Sequence, residues 1–393
     1  MRMCYYPNNC NQGVSVPVVG IIGHSASVVY RRLTDREGKR FSLRFCRNPQ
    51  LGMMPGTPEF AGTKEGLELE DMTHIAEEAL AQYPVAVRSV TFIARSANTI
   101  YQVEDSAGSR FCLRLHLSVS ESLEDYWNTP EAIRSEMVWL EALGREPDLT
   151  APSPVRNGRG EFVTFAKGVA CTLLTWVDGE QRERVATARE AEAVGAMIGK
   201  LHRQSASWTV PDGFARPAFD DSRILQTLER LEEQTRAGRL PAEETALLRQ
   251  AGLKAVAMMN ALERSKGRWG LIHGDLNPGN IVFRGAEARP IDFGACGFGH
   301  YLFDLGWAMC HISPSLREHV LRSYAAYREL PEGHAGLLEG FYIASQLDTM
   351  SFWLGLPDWA EWLPDHIRKL AAREAAAYLR GEPFLFTGTP YWA

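Results

Sequence analysis

The sequence lacks any paired-cysteine motif. Its seven cysteines (Cys4, Cys10, Cys46, Cys112, Cys171, Cys296, Cys310) are scattered and odd in number, and none forms C-x-x-C. That pattern suggests neither a zinc site nor a disulfide framework, and it fits reduced thiols in a cytosolic protein. Positive charge is not in excess: 42 Lys and Arg stand against 48 Asp and Glu, a net charge of −6. A nucleic-acid binder needs cations to neutralise phosphates, so the balance argues against one. No stretch approaches the roughly 20 apolar residues that span a bilayer. Residues 14–23 are apolar but short, and Ser25-Ala26-Ser27 only faintly resembles a cleavage site. The segment before them carries one Arg with several Asn and Gln, a poor signal peptide. No Walker A pattern occurs, which removes the P-loop class, and no repeat of fixed period stands out.

What is there changes character along the chain. At 393 residues it has room for two or three domains. Residues 1–71 hold scattered Gly and Pro, two short alternating stretches and no sustained helical period. They are expected to form a poorly ordered N-terminal extension, with Met72 as the natural beginning; a short β-rich appendage is the alternative. Ile75, Ala79, Leu80 and Tyr83 then predict a short amphipathic helix. Residues 87–103 alternate like two strands, residues 110–116 like a third, and residues 160–175 like two more. Pro130 marks a helix start, with Ile133, Met137, Leu140 and Leu143 at helical spacing. After Asp178-Gly179 the pattern turns helical, over residues 187–203, 221–237 and 242–264. Strands first and helices later predict an α+β protein of two parts with a cleft between them: residues 72–178 and residues 179–393.

The chemistry concentrates in Leu271-Ile272-His273-Gly274-Asp275-Leu276-Asn277-Pro278-Gly279-Asn280-Ile281, followed by Pro290-Ile291-Asp292-Phe293-Gly294. Phosphoryl transfer asks for a carboxylate to orient the accepting hydroxyl and hard oxygens to hold Mg²⁺ against phosphates. Asp275 can supply the first. Asn280, five positions on, and Asp292, 17 positions on, can supply the second. His-x-Asp-x₄-Asn followed by Asp-Phe-Gly is the layout of a kinase catalytic loop and metal loop. Each element alone is weak, whereas their order and spacing together are specific.

On these residues, with Leu201-His202 and Tyr301-Leu302-Phe303-Asp304-Leu305, the chain resembles the aminoglycoside phosphotransferase and choline kinase group over residues 85–370. Within it, the chain is most similar to the set of homoserine, hydroxylysine and RdoA-type kinases. The resemblance implies a protein-kinase-like two-lobed fold with a small β-rich nucleotide-binding lobe and a larger helical lobe. It implies ATP and Mg²⁺, a small-molecule hydroxyl acceptor, and a cytoplasmic enzyme without nucleic-acid or membrane partners. It places His273 and Asp304 under the catalytic loop; a helix N-cap is the other reading of Asp304. It makes Arg114 the phosphate-holding cation, in place of the usual Lys, with Glu136 as partner rather than Glu131. A surface strand cation is the plainer reading of Arg114. Ser96, Ala97 and Asn98 would form the phosphate-covering turn, which lacks the Gly-rich pattern of kinases and reads equally as an ordinary hairpin loop. Thr175, Trp176 and Val177 would offer backbone groups to adenine, with Trp176 readable as packing only.

Gly274 stands where protein kinases carry the Arg that reads a phosphorylated loop, which favours a small-molecule acceptor and activity without that switch. Glu339, Asp348, Asp358, Glu361 and Asp365, interleaved with Trp353, Trp359 and Trp362, would suit an acceptor bearing an amine. Solvated acids and core tryptophans are the plainer account. An RdoA-type protein Ser/Thr kinase and a non-catalytic nucleotide-binding pseudokinase are the competing functions.

Overall fold

The computed structural model describes residues 69–95, 98–117 and 125–387. The expectations for residues 1–68 lie outside the described residues. The first helix, α1 (Leu69–Leu80), begins three residues before the expected boundary at Met72. Ile75, Ala79, Leu80 and Tyr83 are buried as their spacing requires, and Met72 is buried with them.

Six strands follow in one sheet around a single inserted helix: β1 (Val87–Arg95), β2 (Thr99–Asp105), β3 (Arg110–Leu115), α2 (Pro130–Leu143), β4 (Pro154–Val155), β5 (Val163–Ala166) and β6 (Val169–Thr175). The order is β1-β2-β3-β6-β4, with β5 also paired to β6. Thr99, Tyr101 and Val103 alternate inward along β2. Tyr101 and Val103, together with Leu113, Leu115, Cys171 and Leu173, pack on α1 as one apolar cluster. Arg114 points from the opposite face of β3 and is nevertheless buried, so this sheet is covered on both sides there. Thr129 caps α2 by accepting the Ala132 N–H at 3.2 Å, and Pro130 sits at its first turn, where a missing N–H costs nothing.

The rest is mostly helical. Next come β7 (Glu180–Gln181), α3 (Ala188–Ser207), β8 (Ala218–Phe219), α4 (Asp221–Arg236), α5 (Ala242–Ala261) and β9 (Trp269–Ile272). A hairpin follows, β10 (Ile281–Arg284) and β11 (Glu287–Pro290), then β12 (Gly297–His300). The last helices are α6 (Tyr301–Cys310), α7 (Pro314–Ala325), α8 (His334–Trp353), α9 (Trp359–Leu370) and α10 (Ala376–Arg380). A capping box, Thr187 with Glu190, starts α3. The large apolar cluster of these helices takes in α2 as well. No helix among the described residues is long and apolar enough to cross a membrane. Cys112, Cys171, Cys296 and Cys310 are free thiols.

Glycines set how closely the helices approach. Gly195 and Gly199 of α3 face α7; a Cβ on Gly195 would drive into the Val320 carbonyl, and one on Gly199 would lie 2.9 Å from Tyr327 Cβ. Gly336, on α8, has open space where its Cβ would be. The same substitution should therefore act with opposite sign at the two sites. Gly195→Ala should cost about 1–3 kcal/mol through overpacking. Gly336→Ala should gain up to ~1 kcal/mol from helix propensity. Thermal melting of both variants checks this: Tm falls by several degrees for the first and holds or rises for the second.

Candidate active site

The site starts from one buried carboxylate. Asp304 lies inside α6, one turn past its start, and is fully buried. Its Oδ2 accepts the His273 backbone N–H at 2.8 Å and faces His202 Nε2 at 3.0 Å; its Oδ1 accepts the Gly274 N–H at 2.8 Å. Asp304 is thus no helix N-cap: it holds the turn after β9. Burial alone would push its carboxyl up, but the hydrogen bond and charge of His202, with His273, hold it below the ordinary carboxylate range. Burial pushes His202 down, against the pull of Asp304. A neutral ring then donates from Nε2 to Asp304 and accepts at Nδ1 from the Tyr324 hydroxyl, 3.1 Å away.

The turn itself demands glycine. Gly274 has φ +80°, and a Cβ there would meet the Phe219 ring and stand 2.7 Å from Ala295 O. His273 is buried, and burial lowers its pKa. Its Nε2 donates to Ile291 O at 3.1 Å, and its Nδ1 accepts the Asp275 N–H at 3.3 Å. Both ring nitrogens are spent on backbone, so His273 fixes the loop and is not itself a proton carrier.

Asp275 receives three donors. Asn277 Nδ2 and Trp307 Nε1 reach Oδ1 at 2.8 and 3.0 Å, and Asn280 Nδ2 reaches Oδ2 at 2.7 Å. Asn277 also caps the short turn Pro278–Asn280, accepting the Gly279 N–H at 2.8 Å. Although Asp275 keeps some accessible surface, protein crowds its carboxyl group. That burial, with the nearby charge of Asp292, pushes it up to about 7 against the three hydrogen bonds. A divalent cation beside it would draw it back down.

The β10–β11 hairpin explains the motif's spacing. Ile281 pairs with Pro290, and Ile291 N–H donates to Asn280 O at 2.9 Å, so the chain ends bearing Asn280 and Asp292 are zipped side by side. The amide N–H₂ of Asn280 is spent on Asp275, leaving its carbonyl oxygen for a cation. Asp292 is left-handed, φ 59° and ψ 73°, which is rare outside glycine, and its carboxylate is exposed. Arg114 clasps Glu136 with two bonds, Nη1–Oε1 at 2.6 Å and Nη2–Oε2 at 3.0 Å. Burial opposes the Arg114 charge, and Glu136 and Asp292 more than restore it, so its pKa rises. Arg114 is therefore no surface cation. Three polar groups meet over Gly294: measured from where its Cβ would sit, Asp292 Oδ1 is at 3.2 Å, Arg114 Nη2 at 3.5 Å and Asn98 Nδ2 at 3.8 Å. Asn98 is buried and its Oδ1 has no hydrogen-bond partner. A buried acceptor without a partner calls for a donor there, from water or from a bound group. The described residues contain no group of three or more His, Cys, Asp or Glu that could hold a metal. A hard cation here would need ligand oxygens in addition to Asn280 and Asp292, as Mg²⁺ commonly takes from phosphates.

Other expected residues fare differently. Ser96 and Ala97 lie outside the described residues. Thr175 N–H donates to Ser153 O at 2.8 Å and Trp176 N–H to Arg110 O at 2.9 Å. Of these three residues, Val177 is left with an N–H not committed to a backbone carbonyl. Most C-terminal acids are already engaged. Asp348 pairs with Arg223 at 2.6 Å, Glu339 accepts the Phe384 and Leu385 N–H groups at 2.7 and 3.0 Å, and Asp365 pairs with Lys369 at 3.2 Å. Trp353 stacks edge-on against Trp362 and His366. Asp358 and Glu361 lie at the start of α9. Two further participants carry little signal in the sequence. Trp307 lies three residues after Asp304, the spacing that aligns side chains on one helix face; His202 is visible only as part of a motif.

Asp304→Asn replaces an acceptor-only group with one that must point an N–H₂ at a donor. Each hydrogen bond to a buried charge is worth about 1.5–3 kcal/mol. The variant should melt several degrees lower, at about 2–4 °C per kcal/mol, and lose turnover, because the Gly274–Asp275 turn is released. Unchanged melting would contradict this geometry.

Comparison with known proteins identifies the family. The profile of the APH phosphotransferase enzyme family matches residues 89–337, more than half of the chain. Amicoumacin kinase of Bacillus subtilis (strain 168) is 24% identical over 308 residues, covering 75% of this chain and 81% of that protein. A microcompartment-associated aminopropanol kinase superposes with a TM-score of 0.67 at 28% identity, covering 80% of this chain and 99% of its own. The amicoumacin kinase hAmiN, solved with AMP-PNP, Ca²⁺ and Ami, superposes at 0.64 with 19% identity, covering 84% and 98%. The chain belongs to the phosphotransferase enzyme family and is a kinase, transferring phosphate to an alcohol group.

Proposed function

We propose that the chain moves the γ-phosphate of ATP to a hydroxyl of a small molecule, with Mg²⁺, in a cleft between two lobes, residues 72–178 and 179–393. The observation that carries this is the carboxylate of Asp275, held by Asn277, Asn280 and Trp307. The Asn280–Asp292 hairpin brings Asp292 beside it. Asp275 orients the acceptor hydroxyl and takes its proton as the oxygen attacks the γ-phosphorus and ADP leaves with the β–γ bridging oxygen. Arg114, fixed by Glu136, would meet the phosphates, with Asn98 close by. Asn280 Oδ1 and Asp292 would hold Mg²⁺, which when bound neutralises phosphate charge. The base would take the Val177 N–H. A cytoplasmic place follows from the need for ATP.

The names of the relatives favour an acceptor carrying an amine beside its hydroxyl, since aminopropanol is such a molecule. Asp358 and Glu361 remain as acids to meet it. Supporting this reading is the small turn at Gly274, which has no side chain with which to read a phosphorylated loop.

Two variants test the assignment against a panel of amino alcohols and antibiotics read by ADP release, with a parallel arm of whole-cell protein and labelled ATP. Asp275→Asn should lose about 10²–10⁴-fold in kcat while keeping its nucleotide affinity. Asp292→Ala should lose the Mg²⁺-dependent part of that affinity. Near-native turnover in the first, or unchanged Mg²⁺-dependent binding in the second, sinks the role concerned. Label entering protein rather than small molecules would favour a protein kinase.

A further inference from the structure

Among the described side chains that the mechanism leaves unused, Arg216 bonds to three separate backbone carbonyls. It is buried just ahead of β8, and all three of its nitrogens go to backbone carbonyls. Nε donates to Cys296 O at 2.6 Å, Nη2 to Gly294 O at 2.6 Å and Nη1 to Ala132 O at 3.2 Å. Its guanidinium lies 4.8 Å from the centre of the Trp127 ring. Two of these carbonyls belong to the segment that starts at Asp292; the third belongs to α2, one turn before Glu136. The neighbours on either side repeat the pattern. Ala215 N–H donates to Ser135 Oγ at 2.8 Å, beside Glu136, and Pro217 O accepts the Phe298 N–H at 2.8 Å. Residues 215–217 are therefore a strap from the Glu136 helix to the Asp292 loop, with Arg216 as its cross-link.

We infer that Arg216 is a positioning residue that holds the left-handed Asp292 and its loop against the helix carrying Glu136, with no modification needed to assemble them. This role rests on the functional reading in which Asp292 holds the cation. A left-handed non-glycine residue is strained and persists only where its surroundings fix it. The planar five-donor fork of arginine can hold the Gly294, Cys296 and Ala132 carbonyls at once, and lysine cannot match that geometry. Where a switchable kinase orders this loop through an added phosphate, this chain has a built-in guanidinium.

The test is calorimetric binding of a non-hydrolysable ATP analogue to the full chain, with saturating Mg²⁺ and with EDTA. Arg216→Met keeps the length and removes every donor. It should weaken Mg²⁺-dependent binding by about 10-fold or more, the usual cost of removing support behind a metal ligand, and leave binding in EDTA within about twofold. Arg216→Lys should recover part of the loss, and Ser135→Ala, which loosens the same strap, should show a smaller loss of the same kind. Equal losses with and without Mg²⁺, or no loss, would overturn the inference. If Arg216→Met does not fold, unchanged Mg²⁺-dependent affinity in both Arg216→Lys and Ser135→Ala overturns it. Wild-type binding that ignores Mg²⁺ would overturn the functional reading itself, and this inference with it.

Discussion

One buried carboxylate holds the catalytic turn in place. Asp304 gathers the N–H groups of His273 and Gly274 and the ring of His202 onto two oxygens. It is fully buried, so an unmet donor there would be costly. The turn at Gly274 can then adopt a backbone that favours glycine, and Asp275 emerges from it with its amide tied to His273 Nδ1. The Asn277 cap, the hairpin and the Asp292 loop are built outward from this point along the chain.

The hairpin converts sequence spacing into geometry. Asn280 and Asp292 are twelve positions apart because four residues of each strand, a two-residue turn with Gly285 at φ 62°, and Ile291 lie between them and bring the ends together. That is why the motif is legible in the sequence: its spacing reflects a rigid local element. The helix of Ile75 and Tyr83, the strands around Arg114 and the α2 start at Pro130 are legible for the same reason, because each rests on local period or local capping.

Contacts distant in sequence are not legible. Nothing local distinguishes Arg216 from any other loop arginine, and its role depends on carbonyls roughly eighty positions away in either direction. The acids of the C-terminal helices look like one cluster by composition, yet Asp348 is neutralised from α4 and Glu339 is occupied by the chain after α10. Sheet pairing and its flanking turns take the N–H groups of Thr175 and Trp176, a fact that only the register of β3, β4 and β6 reveals. Burial decides for Arg114: alternation alone leaves it readable as a surface cation, and the Glu136 pair shows otherwise.

In the proposed function, Asn280 and Asp292 would present oxygens to a phosphate-bound cation while Asp275 would stay free for the acceptor. A crystal structure with Mg²⁺ and a non-hydrolysable ATP analogue measures this directly. The account predicts a metal about 2.0–2.1 Å from Asn280 Oδ1 and from an Asp292 oxygen, with Asp275 outside the coordination sphere and facing the γ-phosphate. A metal held elsewhere, or one ligated by Asp275 in place of Asp292, would contradict it.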